Sequence, residues 1–404
     1  MQRKYARLIA RVGANIQKGQ PVCLFISADQ YEFAEILVDE CYKAGASSVD
    51  VEWRSQPITK LHFRHCSVKT LSKVETWEEE KMKLMAEKLP CRIFVTSDDP
   101  EGLKGVNQDK MRKSMLARYP IMKPYREAIE NRHQWTIAAV PSYAWAKKIF
   151  PELKKNQAYE KLWQSILAAV RVTEENDPVE EWHRHDANLM KRCEWLNEHH
   201  FERLEYHSSN GTDFTAWLIP EGRWNGGGDT TVQGVFFNPN MPTEEVFTSP
   251  MKGKAEGTLV STKPLSYEGQ LIENFSLTFR DGKVVDVKAE KGEALLKNMI
   301  TRDEGAAMLG ELALIPCDSP INNSGILYYE TLFDENASCH VALGRGFNDC
   351  IEGYQEKTND ECKALGINDS MIHVDFMIGA PDMCITGYKD GKAYPIFENG
   401  EWAF

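Results

Sequence analysis

His373 and Asp375 stand two residues apart in Met371–Ile378, a short apolar segment bounded by Asn368-Asp369-Ser370 and by Gly379. In a strand, residues i and i+2 share a face, so this spacing projects an imidazole and a carboxylate together. Burying both on an apolar strand is costly unless they are paired or bind a metal. Two readings follow from these residues alone: an N,O ligand pair, or a hydrogen-bonded pair with a structural role. Three further stretches offer the same kind of chemistry. His340 closes the polar run Phe333-Asp334-Glu335-Asn336-Ala337-Ser338-Cys339-His340. Cys339 points the other way in an extended chain, so the two do not share an ion. Asp334 and Glu335 read as helix caps or as polar contacts around a site. Glu244 and Glu245 follow Asn238-Pro239-Asn240-Met241-Pro242, whose turn chemistry can hold a carboxylate in place. The alternative there is Thr243 as an N-cap ahead of an acidic first turn. Glu311 opens the apolar run Gly310–Ile315, either as a ligand or as a charged strand end at the surface.

Other features read as structural. His183 and His185 lie in a polar helical stretch, where i,i+2 spacing puts them on different faces, and His199-His200 reads as a solvated helix end. Gly226-Gly227-Gly228 lacks the lysine or the glycine spacing of a phosphate loop. The chain contains neither a G-x-S-x-G elbow nor an H-E-x-x-H pair.

The elements that must carry these residues divide the chain in two. In the first part, four short apolar runs, Pro21–Ile26, Ser48–Trp53, Arg92–Thr96 and Trp135–Val140, alternate with helical spacing such as Phe33, Ile36, Leu37, Cys41 and Leu84, Met85, Leu89. That pattern predicts an α/β N-terminal domain with a parallel sheet and flanking helices. Tyr159–Val172 reads as a helix. Asp177 as N-cap with Pro178 in the first turn predicts another over Val179–His200. A boundary near residue 180 gives domains 1–180 and 181–404. Beyond it, short alternating segments predict an α+β C-terminal domain with antiparallel strands, including Asp213–Leu218 and Thr230–Phe237. A Leu277–Val287 hairpin turns at Asp281-Gly282, and helical pieces are expected over Gly292–Thr301 and Asp303–Gly310.

Composition narrows the function. Among 404 residues, a net charge of −12 argues against an extended nucleic-acid footprint, which needs a basic face. Ten scattered cysteines without a C-x-x-C pair fit reduced thiols in a cytoplasmic protein better than a disulfide framework. The N-terminal segment lacks the apolar core of a signal peptide. No stretch approaches the roughly 18 apolar residues of a spanning helix.

Four strings then converge. Pro242-Thr243-Glu244-Glu245-Val246-Phe247-Thr248, Leu309-Gly310-Glu311, Thr331–His340 and His373–Gly379 closely resemble the family of aminopeptidase T, aminopeptidase S and aminopeptidase PepS. The resemblance extends to Lys4–Pro21, Ala144–Lys148 and Asn399–Trp402, and so covers essentially the whole chain. It implies a metal-dependent aminopeptidase with a two-metal site in the C-terminal domain. Glu245, Glu311, His340, His373 and Asp375 would be the ligands, holding two Zn²⁺, Co²⁺ or Mn²⁺ ions. Glu244 and Glu311 are the candidates for the general base. The resemblance also implies a homodimer enclosing its active sites, which restricts substrates to small or unfolded peptides. The sequence departs from the family at one place: a tyrosine expected seven positions after His340 is Phe347. The ring is kept and the hydroxyl lost, and losing one such donor can cost about 10²–10³ in rate. Tyr354 is the nearby alternative source of a hydroxyl, and Cys317 and Glu330 are further unusual positions.

Overall fold

The computed structural model describes residues 1–129, 131–268 and 270–404. The chain divides into two compact units, Met1–His183 with Gly228–Pro242, and Arg184–Gly227 with Thr243–Phe404.

In the first unit the four apolar runs form a parallel sheet in the order Ser48–Arg54, Pro21–Ser27, Cys91–Thr96, Trp135–Ala139. Leu24, Ile26 and Ile93 are fully buried on one face, as period-2 alternation requires. The helix Tyr31–Ala44 packs there through Phe33, Leu37 and Cys41 and ends at Gly45, whose φ of 118° suits glycine. The N-terminal helix Gln2–Leu8 is pinned by Tyr5, whose hydroxyl donates to Ala139 O at 3.1 Å. The Thr230–Phe237 strand expectation is not met. The chain forms two short paired strands, Asp229–Thr230 and Phe236–Phe237, around a turn at Gly234. Two residues of Gly-centred turn chemistry override the alternation between them.

The helix Pro178–His199 starts as its sequence predicts, with Val179 N–H donating to Asp177 Oδ1 at 3.0 Å. The second unit then builds two antiparallel sheets. The larger runs Leu265–Tyr267, Gln270–Arg280, Pro250–Val260, Asp213–Leu218, Arg203–His207, Cys384–Lys389, Lys392–Glu398, Glu401–Trp402, with Lys283–Lys291 also paired to Gln270–Arg280. Asp281 and Gly282, at φ 49° and 73°, make the expected hairpin turn. The smaller sheet has the order His373–Met377, His340–Gly344, Leu309–Leu314, Val246–Thr248, Asn225–Gly226. Leu312, Leu314, Val341, Leu343, Val374 and Phe376 point from one of its faces into a single apolar core.

Asp303–Gly310 is not helical. A strand begins at Leu309, and before it the chain is tethered by Asp303, whose carboxylate accepts from Gly305 N–H, Ser370 Oγ–H and Met371 N–H. A side-chain carboxylate that satisfies backbone donors competes with helix formation. The helix expected over Gly292–Thr301 is present as Glu293–Met299. No helix among the described residues is long and apolar enough to cross a membrane.

Candidate metal centre

The polar face of the smaller sheet gathers the residues singled out by sequence. His340 pairs with Ala313 and with Met377, Ala342 with Glu311 and with Asp375, and Gly344 with His373. Directly opposed residues share a face, so Glu311, Ala342 and Asp375 form one row and Gly344 and His373 the next. The middle strand presents His340, Ala342 and Gly344 on this face. Its two small residues leave room for the longer side chains of both neighbours to converge across it. A register shift between Leu309 and Glu311 falls at Gly310, where an added Cβ would sit 2.3 Å from Arg345 O. That close approach brings Glu311 into the row with Asp375. Glu311 is therefore buried in mid-strand, 4% exposed, and not a charged end at the surface.

Glu245 arrives just before the strand Val246–Thr248, in extended chain and not in a helical first turn. Its approach is fixed by Asn336, a fully buried residue whose Oδ1 accepts Glu244 N–H at 2.7 Å while its Nδ2–H donates to Leu332 O.

The resulting donors fall into two groups, Glu245–Glu311–His340 and Glu311–His373–Asp375, each with its ligand atoms within 4.8 Å of one another. Glu311 belongs to both. His340 Nε2 lies 3.6 Å from Glu245 Oε2. His373 Nε2 lies 3.1 Å from Glu311 Oε2 and 3.3 Å from Asp375 Oδ1. The Nδ1 of each ring faces a carbonyl, His373 at 2.7 Å from Arg345 O and His340 at 3.4 Å from Ser338 O. An Nδ1–H donated outward aims Nε2 inward, the usual support of a metal-binding histidine.

The electrostatics ask for cations. Burial, then repulsion from Glu311 and Asp375, pushes the Glu245 carboxyl well above the usual carboxylate range. Burial lowers His373, but hydrogen bonds and charge from Asp375 and Glu311 override it and raise the imidazole to about 11. Burial likewise acts to raise Asp375, and His373 reverses it, leaving the carboxyl below its ordinary value. No lysine or arginine among the described residues pairs with Glu245, Glu311 or Asp375. Asp375 Oδ1 is a buried oxygen without a well-formed hydrogen bond. Buried carboxylates in this state fit a metal centre.

Two residues were set aside or undervalued by sequence. Glu335 comes from a one-turn helix, Glu335–Ala337. Its carboxyl is pushed well up by burial and then by Asp375, Glu245 and Glu311, so it lies within electrostatic reach of the centre but in neither donor group. His185 is not an unengaged surface residue: Nε2 lies 2.8 Å from Thr243 O and 3.9 Å from Glu244 Oε2. Only its distance in sequence from the acidic segment hid it. The Phe347 ring centroid lies 4.7 Å from that of His373 and 5.8 Å from that of Phe247. Tyr354 packs in a separate small cluster with Ile219, Ile351, Cys362 and Ile367.

The chain as a whole also matches known proteins. The family described as thermophilic metalloprotease (M29) matches residues 1–402. Aminopeptidase AmpS of Bacillus subtilis (strain 168) is 43% identical over 402 residues, 99% of this chain and 98% of the relative. Aminopeptidase PepS of Streptococcus thermophilus is 41% identical, covering 99% and 97%. The solved structure of wild-type AmpT from Thermus thermophilus superposes with a TM-score of 0.92 at 34% identity, covering 100% of this chain and 99% of that one. A match that runs the length of the chain and includes the sheet on which the donors converge leaves one assignment: the chain belongs to the thermophilic metalloprotease (M29) family.

Proposed function

We propose that this protein removes single N-terminal residues from short peptides with the help of two divalent ions. The observation that carries this reading is Glu311, which stands in both donor groups and would serve both ions. Glu245 and His340 would complete one ion's set and His373 and Asp375 the other's, with Glu335 alongside. Three protein carboxylates and two imidazoles suit Zn²⁺, Co²⁺ or Mn²⁺. When bound, such a pair of ions would activate a water and polarise the peptide carbonyl.

The chain's own residues do the rest. Arg345 O and Ser338 O hold the two imidazoles in the tautomer that exposes Nε2. Glu244, 5% exposed, is next in sequence to Glu245, faces His185 at 3.9 Å and, like Glu335, belongs to neither donor group. We assign it to proton transfer, with His185 as its positioning partner, and Glu311 remains the second candidate for that role. Phe347 offers a ring and no hydroxyl, so a developing oxyanion draws no donor from this position. As the family resemblance implies, the protein acts as a homodimer. Its ten free thiols suit a cytoplasmic location.

The test is a mass-spectrometric digest of a mixed peptide pool by the purified protein, with added Zn²⁺ or Co²⁺ and again with a chelator. Stepwise loss of single N-terminal residues, abolished by the chelator, is the expected result. Metal-loaded protein that leaves every peptide intact would overturn the reading.

A further inference from the structure

On the larger sheet of the second unit, Asp213, His207 and Cys384 form one row across three adjacent strands. His207 pairs directly with Asp213 on one side and with Cys384 on the other, so the three side chains share a face. His207 Nδ1 lies 3.2 Å from Asp213 Oδ1. Donation of Nδ1–H to that carboxylate leaves Nε2 as the basic nitrogen. Cys384 is the exposed cysteine, whereas Cys23, Cys41, Cys91, Cys193, Cys339, Cys350 and Cys362 are buried and Cys66 and Cys317 half-buried. Burial also pushes Cys41, Cys193 and Cys339 up to about 12, which keeps those thiols protonated. A shallow, solvent-open hollow lies over the row and is edged by the hydroxyl-bearing residues Ser208, Ser209 and Thr212. Asp382, at its rim, is occupied by Ser208 Oγ–H at 2.7 Å and Ser209 N–H at 2.9 Å.

We propose that Cys384, with His207 as base and Asp213 orienting the ring, is a thiol-modification site for small polar disulfides. The Cys384 thiol now faces the Asp382 carbonyl at 3.8 Å. Rotation about its exposed χ1, a ps–ns motion, turns it toward the neighbouring imidazole. His207 Nε2 takes the thiol proton, and Sγ attacks one sulfur of the disulfide. The new S–S bond forms as the old one breaks. The departing thiolate takes the proton back from His207 and leaves as a thiol, so the added disulfide is the oxidant and no other is needed. The attached half lies in the open hollow beside Ser208, Ser209 and Thr212. This site is separate from the residues of the metal centre and does not depend on the peptidase reading.

The experiment exposes the full-length, metal-loaded protein briefly to glutathione disulfide and maps the adducts by mass spectrometry. Cys384 is expected to carry the mixed disulfide first, ahead of Cys66 and Cys317. His207→Gln is expected to slow its modification about tenfold, Asp213→Asn less, and both variants keep the thermal midpoint and the peptidase rate of the parent. Faster labelling of another cysteine, or an unchanged rate in folded His207→Gln, would show that exposure alone governs Cys384 and would overturn the proposal.

Discussion

Each unit of this protein carries a cluster of metal-type donors, and the two differ in what balances their charge. In the first unit Cys23, Asp50 and Glu52 bring their donor atoms within 4.8 Å of one another. Lys81, from the helix Thr76–Lys88, makes an ion pair with Glu52 and lies 3.9 Å from Asp50, and the Asp50 side chain is 71% exposed. In the second unit the carboxylates are buried, no lysine or arginine among the described residues pairs with them, and two imidazoles aim Nε2 inward. Three donors at ligand distance are common to both clusters. Burial without a built-in cation distinguishes the second, because a buried carboxylate needs a counter-charge that water is not there to replace.

Glu311→Ala is the largest blow to that distinction. Loss of a residue that only supports a metal ligand costs about 10–100-fold in affinity. Removing a carboxylate shared by both donor groups is expected to exceed about 100-fold for each ion and to take N-terminal cleavage with it. Metal analysis after dialysis, followed by the peptide digest, reads both. A Glu311→Ala protein that still holds two ions would remove the shared carboxylate from the reading.

Phe347→Tyr comes next. The ring already lies against His373, so the substitution adds one hydroxyl donor at the edge of the centre. A rise in kcat of up to about 10²-fold, with KM changed less, is the expected outcome. An unchanged kcat would mean that another group already supplies the donor or that none is needed.

The convergence of the strand-borne residues of the candidate centre was legible in the sequence. His373 and Asp375 declare themselves by i,i+2 spacing in an apolar run, and Phe347 by its interval from His340 in a resembling motif. Glu311 was visible, but its burial was not, because the register shift at Gly310 that turns it inward is a property of two strands together. Glu335 stayed open between a cap and a polar contact around a site, and His185 read as structural, because a one-turn helix and a long polar helix carry no period that points at a distant carboxylate. The same limit explains Asp303–Gly310, where a tertiary tether through Asp303 to Ser370 and Met371 overrides a helical pattern. The four parallel strands, by contrast, were readable run by run, since each is a short apolar segment between turn signals.

The protonation of His373 gives a smaller effect with a definite sign. In the metal-free protein Asp375 and Glu311 hold this imidazole raised to about 11, and only a neutral imidazole ligates. Metal binding at neutral pH therefore expels its proton. Apparent affinity rises with pH by about tenfold per unit for each proton released, and the rise ends above the folded value. The metal-free protein runs the other way: a histidine raised above its unfolded value contributes stability that is complete below about 6.5 and is lost as pH climbs toward 11. Titration calorimetry in two buffers of different ionisation enthalpy measures the released protons. A binding enthalpy that is the same in both would mean that His373 stays protonated and does not ligate.

The smallest expected effect belongs to the other cluster. Glu52→Gln removes one donor from the Cys23–Asp50–Glu52 group together with the carboxylate that Lys81 neutralises. If Lys81 is the counter-charge there, metal content and N-terminal cleavage stay at the parent values. Stability then moves by no more than about 1 kcal/mol, as for a partly exposed ion pair. Loss of a bound ion from Glu52→Gln would mean that Lys81 yields to a metal in solution, and the presence of a neighbouring lysine would then no longer separate the two clusters. Lys81→Met sharpens the same point from the other side. It leaves Asp50 and Glu52 without their cation, yet the 71% exposure of Asp50 lets water screen the pair, so the first unit is expected to gain no tightly held ion. Burial then stands as the property that separates the second cluster, as the candidate metal centre, from the first.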